Sequence, residues 1–211
     1  MQIKTIKTHF ISTSDKIEDV VSKYVLPIAQ KGDIVVLCEK IVSIMQNRVV
    51  YKKDVKLSFW AKFLSRFAIK TPAGFSVGNP LKMQVAIDLA GLPRILFASF
   101  VAGIGKIFGI KGLFYRIAGH AISRIDGFYG ETFPQYADIG VLGCINGNET
   151  CESLKNKFGF SFVIADANDL GANILGISFD LKGKEKQLLE VLKTNPATQS
   201  NQQTPIVILR E

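Results

Sequence analysis

The sequence predicts an α+β protein in which helices pack against a mixed, largely antiparallel sheet. Two observations lead there. The apolar, β-rich runs are short, irregularly spaced and not regularly alternated with helical segments, which argues against a doubly wound parallel sheet. Neither GxxxxGK[ST] nor GxGxxG occurs, so neither a P-loop nor a Rossmann nucleotide site is expected. With 211 residues and 47% hydrophobic side chains the chain can bury its own core, and it reads as one domain over residues 1–211.

The elements follow in order. Ile3 to Thr8 alternates apolar and polar side chains as a strand does. Ser14 is placed to cap a helix from Asp15 to about Leu26, with Ile17, Val20, Val21 and Tyr24 inward. Lys31-Gly32-Asp33 turns the chain into Ile34 to Cys38, a buried strand, followed by Glu39 to Ser43 and the segment Arg48 to Tyr51. Gly74 to Ser76 belongs to a loop entering a helix whose N-cap is Asn79 and whose first turn holds Pro80, and Met83, Ala86, Ile87 and Ala90 keep helical spacing. Ile95 to Ile117 is long and apolar, yet it contains Lys106, Lys111 and Arg116, and a cation near a bilayer centre costs roughly 2.5–3.5 kcal/mol. With Gly103, Gly105, Gly109 and Gly112 it is expected to form a buried hairpin-like or glycine-hinged connection facing a site mouth or a subunit partner and not a bilayer, with surface attachment to anionic lipid as the second reading. Turns are expected after Asp126-Gly127 through Phe133-Pro134, then a strand over Asp138 to Leu142, a helix over Glu149 to Phe158 and a strand over Phe160 to Ile164. Lys184 to Lys193 reads as a helix with Leu188, Leu189 and Leu192 inward, stopped by Asn195-Pro196.

Cys38, Cys144 and Cys151 form no CxxC pair and are odd in number, so neither a disulfide framework nor a cysteine-rich zinc site is indicated, and a cytoplasmic setting is expected. The first residues contain no apolar signal segment. The net charge of +8 is uneven: ten Lys or Arg lie between Val55 and Ile125 against the single acid Asp88. That asymmetry suits a polyanion, whether nucleotide phosphates, nucleic acid or a membrane surface, and equally suits a solvated basic face. No RNP-like, zinc-finger or helix-turn-helix pattern points to specific nucleic-acid recognition.

Chemistry concentrates in three places. After the Phe160 to Ile164 strand, Asp166, Asn168 and Asp169 arrive together, and oxygen side chains at the end of a strand suit a hard cation such as Mg²⁺ or Mn²⁺. The same cluster also reads as an Asx-rich turn. Lys40 and Ser43 sit beyond the end of the Ile34 to Cys38 strand, where phosphate contacts are commonly built, and Asn79 and Lys82 mark a helix N-terminus open to an anion.

The stretch GDIVVLCEKIVSIMQNRVV resembles a segment of the coenzyme F420-0:gamma-glutamyl ligase family in Gly32, Asp33, Lys40, Val42, Ser43 and Arg48. VIADAND resembles the family's strand followed by T-D-T-N, and Thr204 to Arg210 its closing proline, apolar strand and arginine. The middle of the chain looks like divergent bacterial members of the wider family. The resemblance implies a ligase-like fold and a nucleotide-dependent amide ligase that uses GTP and Mg²⁺ or Mn²⁺ to activate a carboxylate as an acyl phosphate for attack by glutamate. A homodimer is expected. The resemblance also implies nucleotide contacts from Thr8, His9, Phe10 and Ile11, and a metal at Asp166 supported by Asn168 and Asp169. The chain departs from the pattern at Ile44, where the family has a lysine, at Gln46-Asn47 in place of E-G, and at Ala121 in place of a metal aspartate, for which His120 or Asp126 are the nearby substitutes. Residues 197–203 carry no carboxylate where the family has a further acidic ligand. A non-catalytic binding protein on the same fold is the alternative.

Overall fold

The structure, a computed structural model, describes residues 1–68, 77–110, 112–128, 136–168, 171–197 and 202–210. In chain order it contains β1 (Gln2–Ile6), α1 (Ile17–Tyr24), β2 (Ile34–Cys38), α2 (Glu39–Met45), β3 (Val49–Tyr51), a 3-10 turn (Lys52–Asp54), α3 (Phe59–Ser65), α4 (Pro80–Ala90) and α5 (Leu92–Ile107). Then follow α6 (Leu113–Ala118), α7 (His120–Ser123), β4 (Asp126–Gly127), β5 (Ile139–Val141), α8 (Gly147–Phe158), β6 (Ser161–Asn168), β7 (Gly171–Ile177), α9 (Glu185–Leu192) and β8 (Ile206–Arg210). Gly74 to Ser76, Lys111, Phe133-Pro134, Asp169 and residues 198–201 lie outside the described residues. The chain forms two compact units, the first made of Met1–Arg48 and Cys144–Glu211, the second of Val49–Gly143.

The first unit is built on a five-stranded sheet in the order β1-β8-β2-β6-β7. β2 and β6 run parallel and the other neighbours antiparallel, which is the mixed, largely antiparallel α+β arrangement expected. The inner strands β2 (IVVLC) and β8 (IVILR) are nearly continuous apolar runs because both their faces are covered. Ile34, Val36, Val163, Ala165, Val207 and Leu209 pack on one face with Leu188 and Leu192 of α9.

The start of β2 is tied to the end of β8 by an ion pair. Arg210 Nε donates to Asp33 Oδ1 at 2.8 Å and Nη2 to Asp33 Oδ2 at 2.7 Å, while the Gln30 N–H donates to the same Oδ2 at 2.8 Å. Asp33 is 2% exposed. The Arg210 hydrogen bonds hold its carboxyl below the usual carboxylate range against the opposing effect of burial. Ser178 makes a second tie at the start of β6: its Oγ accepts the Phe162 N–H at 2.8 Å and donates to the Phe162 carbonyl at 3.1 Å.

The second unit has a three-stranded sheet, β3-β5-β4, and a helical core of Ala61, Leu64, Met83, Val85, Ile95, Ala98 and Ile122, with Ile125 and Phe128. Asn79 caps α4 as expected, its Oδ1 accepting the Leu81 N–H at 2.8 Å with Pro80 in the first turn. Gly109 and Gly112, at φ +72° and +80°, turn the chain between α5 and α6, but Gly103 and Gly105 lie inside the continuous helix α5 and the stretch is not buried, Phe100, Ile107 and Phe108 being exposed. Among the described residues no single helix is long and apolar enough to cross a membrane.

Three local expectations change. Ser14 does not cap α1, which begins after Lys16 without a side-chain cap. Asp15 is instead held outside the helix, accepting the Ser12 N–H at 2.7 Å and the Ser12 hydroxyl at 2.9 Å. The strand expected to stop at Ile164 continues to Asn168, because β7 pairs with it and satisfies its backbone, so Asp166 is a strand residue opposite Asn173 and not part of a turn.

Candidate functional site

Strand directions bring the main sequence-derived candidates of the first unit to one edge of its sheet. β1 and β2 are both antiparallel to β8, and β6 is parallel to β2, so the C-terminal ends of β1, β2 and β6 share that edge. The turn Thr8 to Ile11 follows β1, Lys40 and Ser43 follow β2, and Asp166 and Asn168 end β6. Backbone bonds close the edge: the Thr8 N–H donates to the Gln203 carbonyl at 3.0 Å and the Cys38 N–H to the Pro205 carbonyl at 2.9 Å.

Each of these residues has a defined setting. Thr8 is 5% exposed, and its hydroxyl donates to the His9 carbonyl at 2.8 Å. Ile11 is buried in the core, so its side chain is closed to a ligand, and Phe10 is half-buried. His9 is held on both ring nitrogens, with Nδ1 2.7 Å from the Tyr24 hydroxyl and Nε2 2.9 Å from Asp15 Oδ1. The Asp15 carboxylate only accepts, so Nε2 donates to it, and in the neutral ring Nδ1 then accepts the phenolic proton of Tyr24, whose oxygen also accepts the His9 N–H at 3.0 Å. Burial pushes the Asp15 carboxyl up, but the hydrogen bonds from the Ser12 N–H, His9 and the Ser12 hydroxyl outweigh it and hold it low. Asp15 and Tyr24 were not among the sequence candidates, and their only signal was the polar side chain of each near a turn.

At the end of β2, Lys40 is half-buried in the first turn of α2 and Ser43 is fully enclosed, its Oγ without a hydrogen-bond partner among the described residues. Glu39 is 9% exposed, and its Oε1 accepts the Cys144 N–H at 3.1 Å. The Cys38 thiol registers this environment: burial pushes it up, the charge and N–H of Lys40 pull it down, and Asp166 and Glu39 push it up. Lys40, Glu39 and Asp166 thus act on a common locus. Strand alternation puts Asp166 on the face opposite Ala165 and Ala167, and those two alanines line a small cleft with Cys38, Pro205 and Leu192.

The departures from the ligase pattern have structural accounts. Ile44, where the family has lysine, is 1% exposed and serves the core. Gln46 bridges the 144–146 loop, its Nε2 donating to the Ile145 carbonyl at 2.9 Å and its Oε1 accepting the Ile145 N–H at 3.0 Å. Asn47, where the family has glycine, adopts φ +55°, which asparagine tolerates better than other side chains.

The remaining candidates belong to the second unit. The Asn79 side chain is engaged as the α4 cap, and Lys82, 3% exposed, has Nζ 3.7 Å from Asp126 Oδ1. The expected phosphate cation and the expected substitute metal ligand are therefore partners of each other. His120 is exposed at the start of α7, where its carbonyl accepts the Ser123 hydroxyl at 2.8 Å. Among the described residues no group of three or more His, Cys, Asp or Glu side chains is placed to hold a metal ion.

The α+β sheet with this edge is consistent with a ligase-like class of protein. Residues 5–101, a little under half of the chain, match the model of the family described as F420-0:gamma-glutamyl ligase. The matched segment takes in Thr8 to Ile11, Lys40, Ser43, Asn79 and Lys82, whereas His120, Asp126, Asp166, Asn168 and Asp169 lie beyond it. No curated protein matches the chain.

Proposed function

We propose that the chain is a nucleotide- and metal-dependent ligase that joins a small-molecule carboxylate to an amino acid such as glutamate. The observation that carries this reading is the sheet topology, which collects the turn after β1, Lys40 after β2 and Asp166 at the end of β6 on one edge. In the reaction, a carboxylate oxygen of the substrate takes the γ-phosphoryl group of GTP and GDP leaves. The amine of the amino acid then attacks the acyl carbon, inorganic phosphate leaves, and the amide forms with loss of the amine proton.

The donor set fits a cation that arrives with the nucleotide. Mg²⁺ and Mn²⁺ take oxygen ligands, and Mg²⁺ commonly binds through one or two carboxylates together with substrate phosphates and water. Asp166 supplies the carboxylate, with Asn168 and Asp169 next to it in sequence. When bound, the cation would offset the charge of the phosphate oxygens. Lys40 adds a fixed positive charge to hold the phosphates, and the turn Thr8 to Ile11 stands at the same end of the sheet, beside the rest of the nucleotide. Ser43, fully buried within α2, is closed to the phosphates in this conformation.

Calorimetric titration of GTP and ATP, with and without Mn²⁺, tests this on the parent chain and on Asp166→Asn, which keeps the side-chain shape and removes the charge. Metal-dependent binding by the parent and its loss in the variant are expected. Equal binding by both proteins would remove Asp166 from the site, and binding without amide formation would favour a binding protein on the same fold.

A further inference from the structure

The second unit presents apolar surface that its own core does not use. On α5, Ile95, Ala98 and Gly105 face inward, while Phe97, Phe100, Ile104, Ile107 and Phe108 recur at mostly three- and four-residue spacing on the outer flank. Ile107 is 81% and Phe108 74% exposed. On α3 and the turn after it, Ala61, Leu64 and Ser65 are buried, while Phe59, Trp60, Phe63 and Phe67 are exposed. The rings touch one another, Phe59 stacking on Phe63 at 5.9 Å and Phe67 meeting Phe63 edge-on at 5.1 Å. Lys62 and Arg66 are exposed on the same helical arc as Phe59 and Phe63.

We propose that α3 and the outer flank of α5 attach this protein to a membrane surface rich in anionic lipid, lying in the interface without spanning it. Phe and Trp on one arc with Lys and Arg beside them are the composition of an in-plane interfacial helix, whose rings enter the headgroup boundary while the cations meet lipid phosphate. The charge of the whole segment agrees, with ten Lys or Arg and the single acid Asp88 between Val55 and Ile125. Spanning is a poor fit: α5 has 16 residues, below the roughly 20 that a bilayer core requires, and α4 and α5 together are long and apolar enough but are bent by 119° where they meet.

A second copy of the chain is a poorer occupant than lipid. A two-fold contact sets the same patch against itself, so Lys62 and Arg66 would approach their own counterparts with no acid on α3 to neutralise them. The expected homodimer would use another face. Nucleic acid would satisfy the cations but leave Ile104 and Ile107 without an apolar partner.

Trp60 is the one tryptophan of the chain, so its fluorescence reports on α3 directly. The full chain is mixed with vesicles of phosphatidylcholine alone and of phosphatidylcholine with phosphatidylglycerol, and Trp60 emission and co-sedimentation are followed. A blue shift and co-sedimentation with the anionic vesicles are expected. Replacing both Lys62 and Arg66 by Gln should weaken that binding about 30-fold, and the Phe97→Ser, Phe100→Ser double variant should weaken it while leaving the circular dichroism spectrum unchanged. Emission of the parent unaffected by anionic vesicles overturns the proposal, and so does equal binding to both vesicle types. A dimer in sedimentation velocity that Phe63→Ser dissociates, without vesicle binding by the parent, assigns the surface to a second copy instead.

Discussion

Asp33→Asn removes one negative charge from the clamp between β2 and β8 and preserves the side-chain outline. The parent carboxylate accepts two bonds from Arg210, at 2.7 and 2.8 Å, and one from the Gln30 N–H, and it is 2% exposed. Losing one partner of a buried pair typically costs about 3–5 kcal/mol. The Arg210 side chain keeps 29% exposure and can recover water, and the amide oxygen can still accept a bond, so about 2–3 kcal/mol is expected for Asp33 at neutral pH. For a chain of this size that is a drop of roughly 5–10 °C in melting temperature. The pH dependence has a definite sign. The folded-state pKa of Asp33 lies below its unfolded value, so its contribution is complete above about pH 4 and is lost as pH falls through the folded value. Thermal unfolding followed by circular dichroism, at pH 7 and at stepped values below pH 4, should therefore show a gap between parent and variant that narrows in acid. A variant melting within a degree of the parent at pH 7, or a gap that stays constant in acid, would refute this account of the clamp.

Ser178→Ala should cost about 1–3 kcal/mol, because the buried Phe162 N–H loses the acceptor now 2.8 Å away, and urea unfolding measures the loss as a lower midpoint. Thiol titration with a disulfide reagent at pH 7 should find Cys151 unreactive in the folded chain: it is 0% exposed and burial pushes its pKa up to about 12. Cys38, also pushed up by burial, should react slowly, and unfolding should release all three thiols.

Sequence legibility followed the range over which each interaction acts. β2 was readable because its five residues form an uninterrupted apolar run, and the start of α4 because Asn79 and Pro80 act within one turn. The extension of β6 was not, since Asp166 and Asn168 have low strand propensity and are carried by pairing with Asn173 and Gly171. Asp15 resembled the first residue of a helix, yet it bonds Ser12 and His9. The meeting of Tyr24 with His9, fifteen positions apart, and of Lys82 with Asp126 depends on packing that no local pattern encodes. Gly32-Asp33 and Arg210 entered through the ligase resemblance, and the structure gives Asp33 and Arg210 a shared structural role in holding the sheet.

The strand order also governs how the first unit can assemble. β8, the last strand in sequence, lies between β1 and β2, so β1 has no other neighbour in the sheet and β2 keeps an open edge until β8 arrives. During synthesis a nascent chain would already hold α1, β2, β6 and β7 before the strand that joins β1 to them emerges. Joining β1 to this sheet is therefore a late step that brings together strands far apart in sequence, and such steps are slow. Until then the exposed edge of β2, a run of Ile, Val and Leu, is a template for pairing with another chain. A chain cut before Ile206 would keep that hazard permanently.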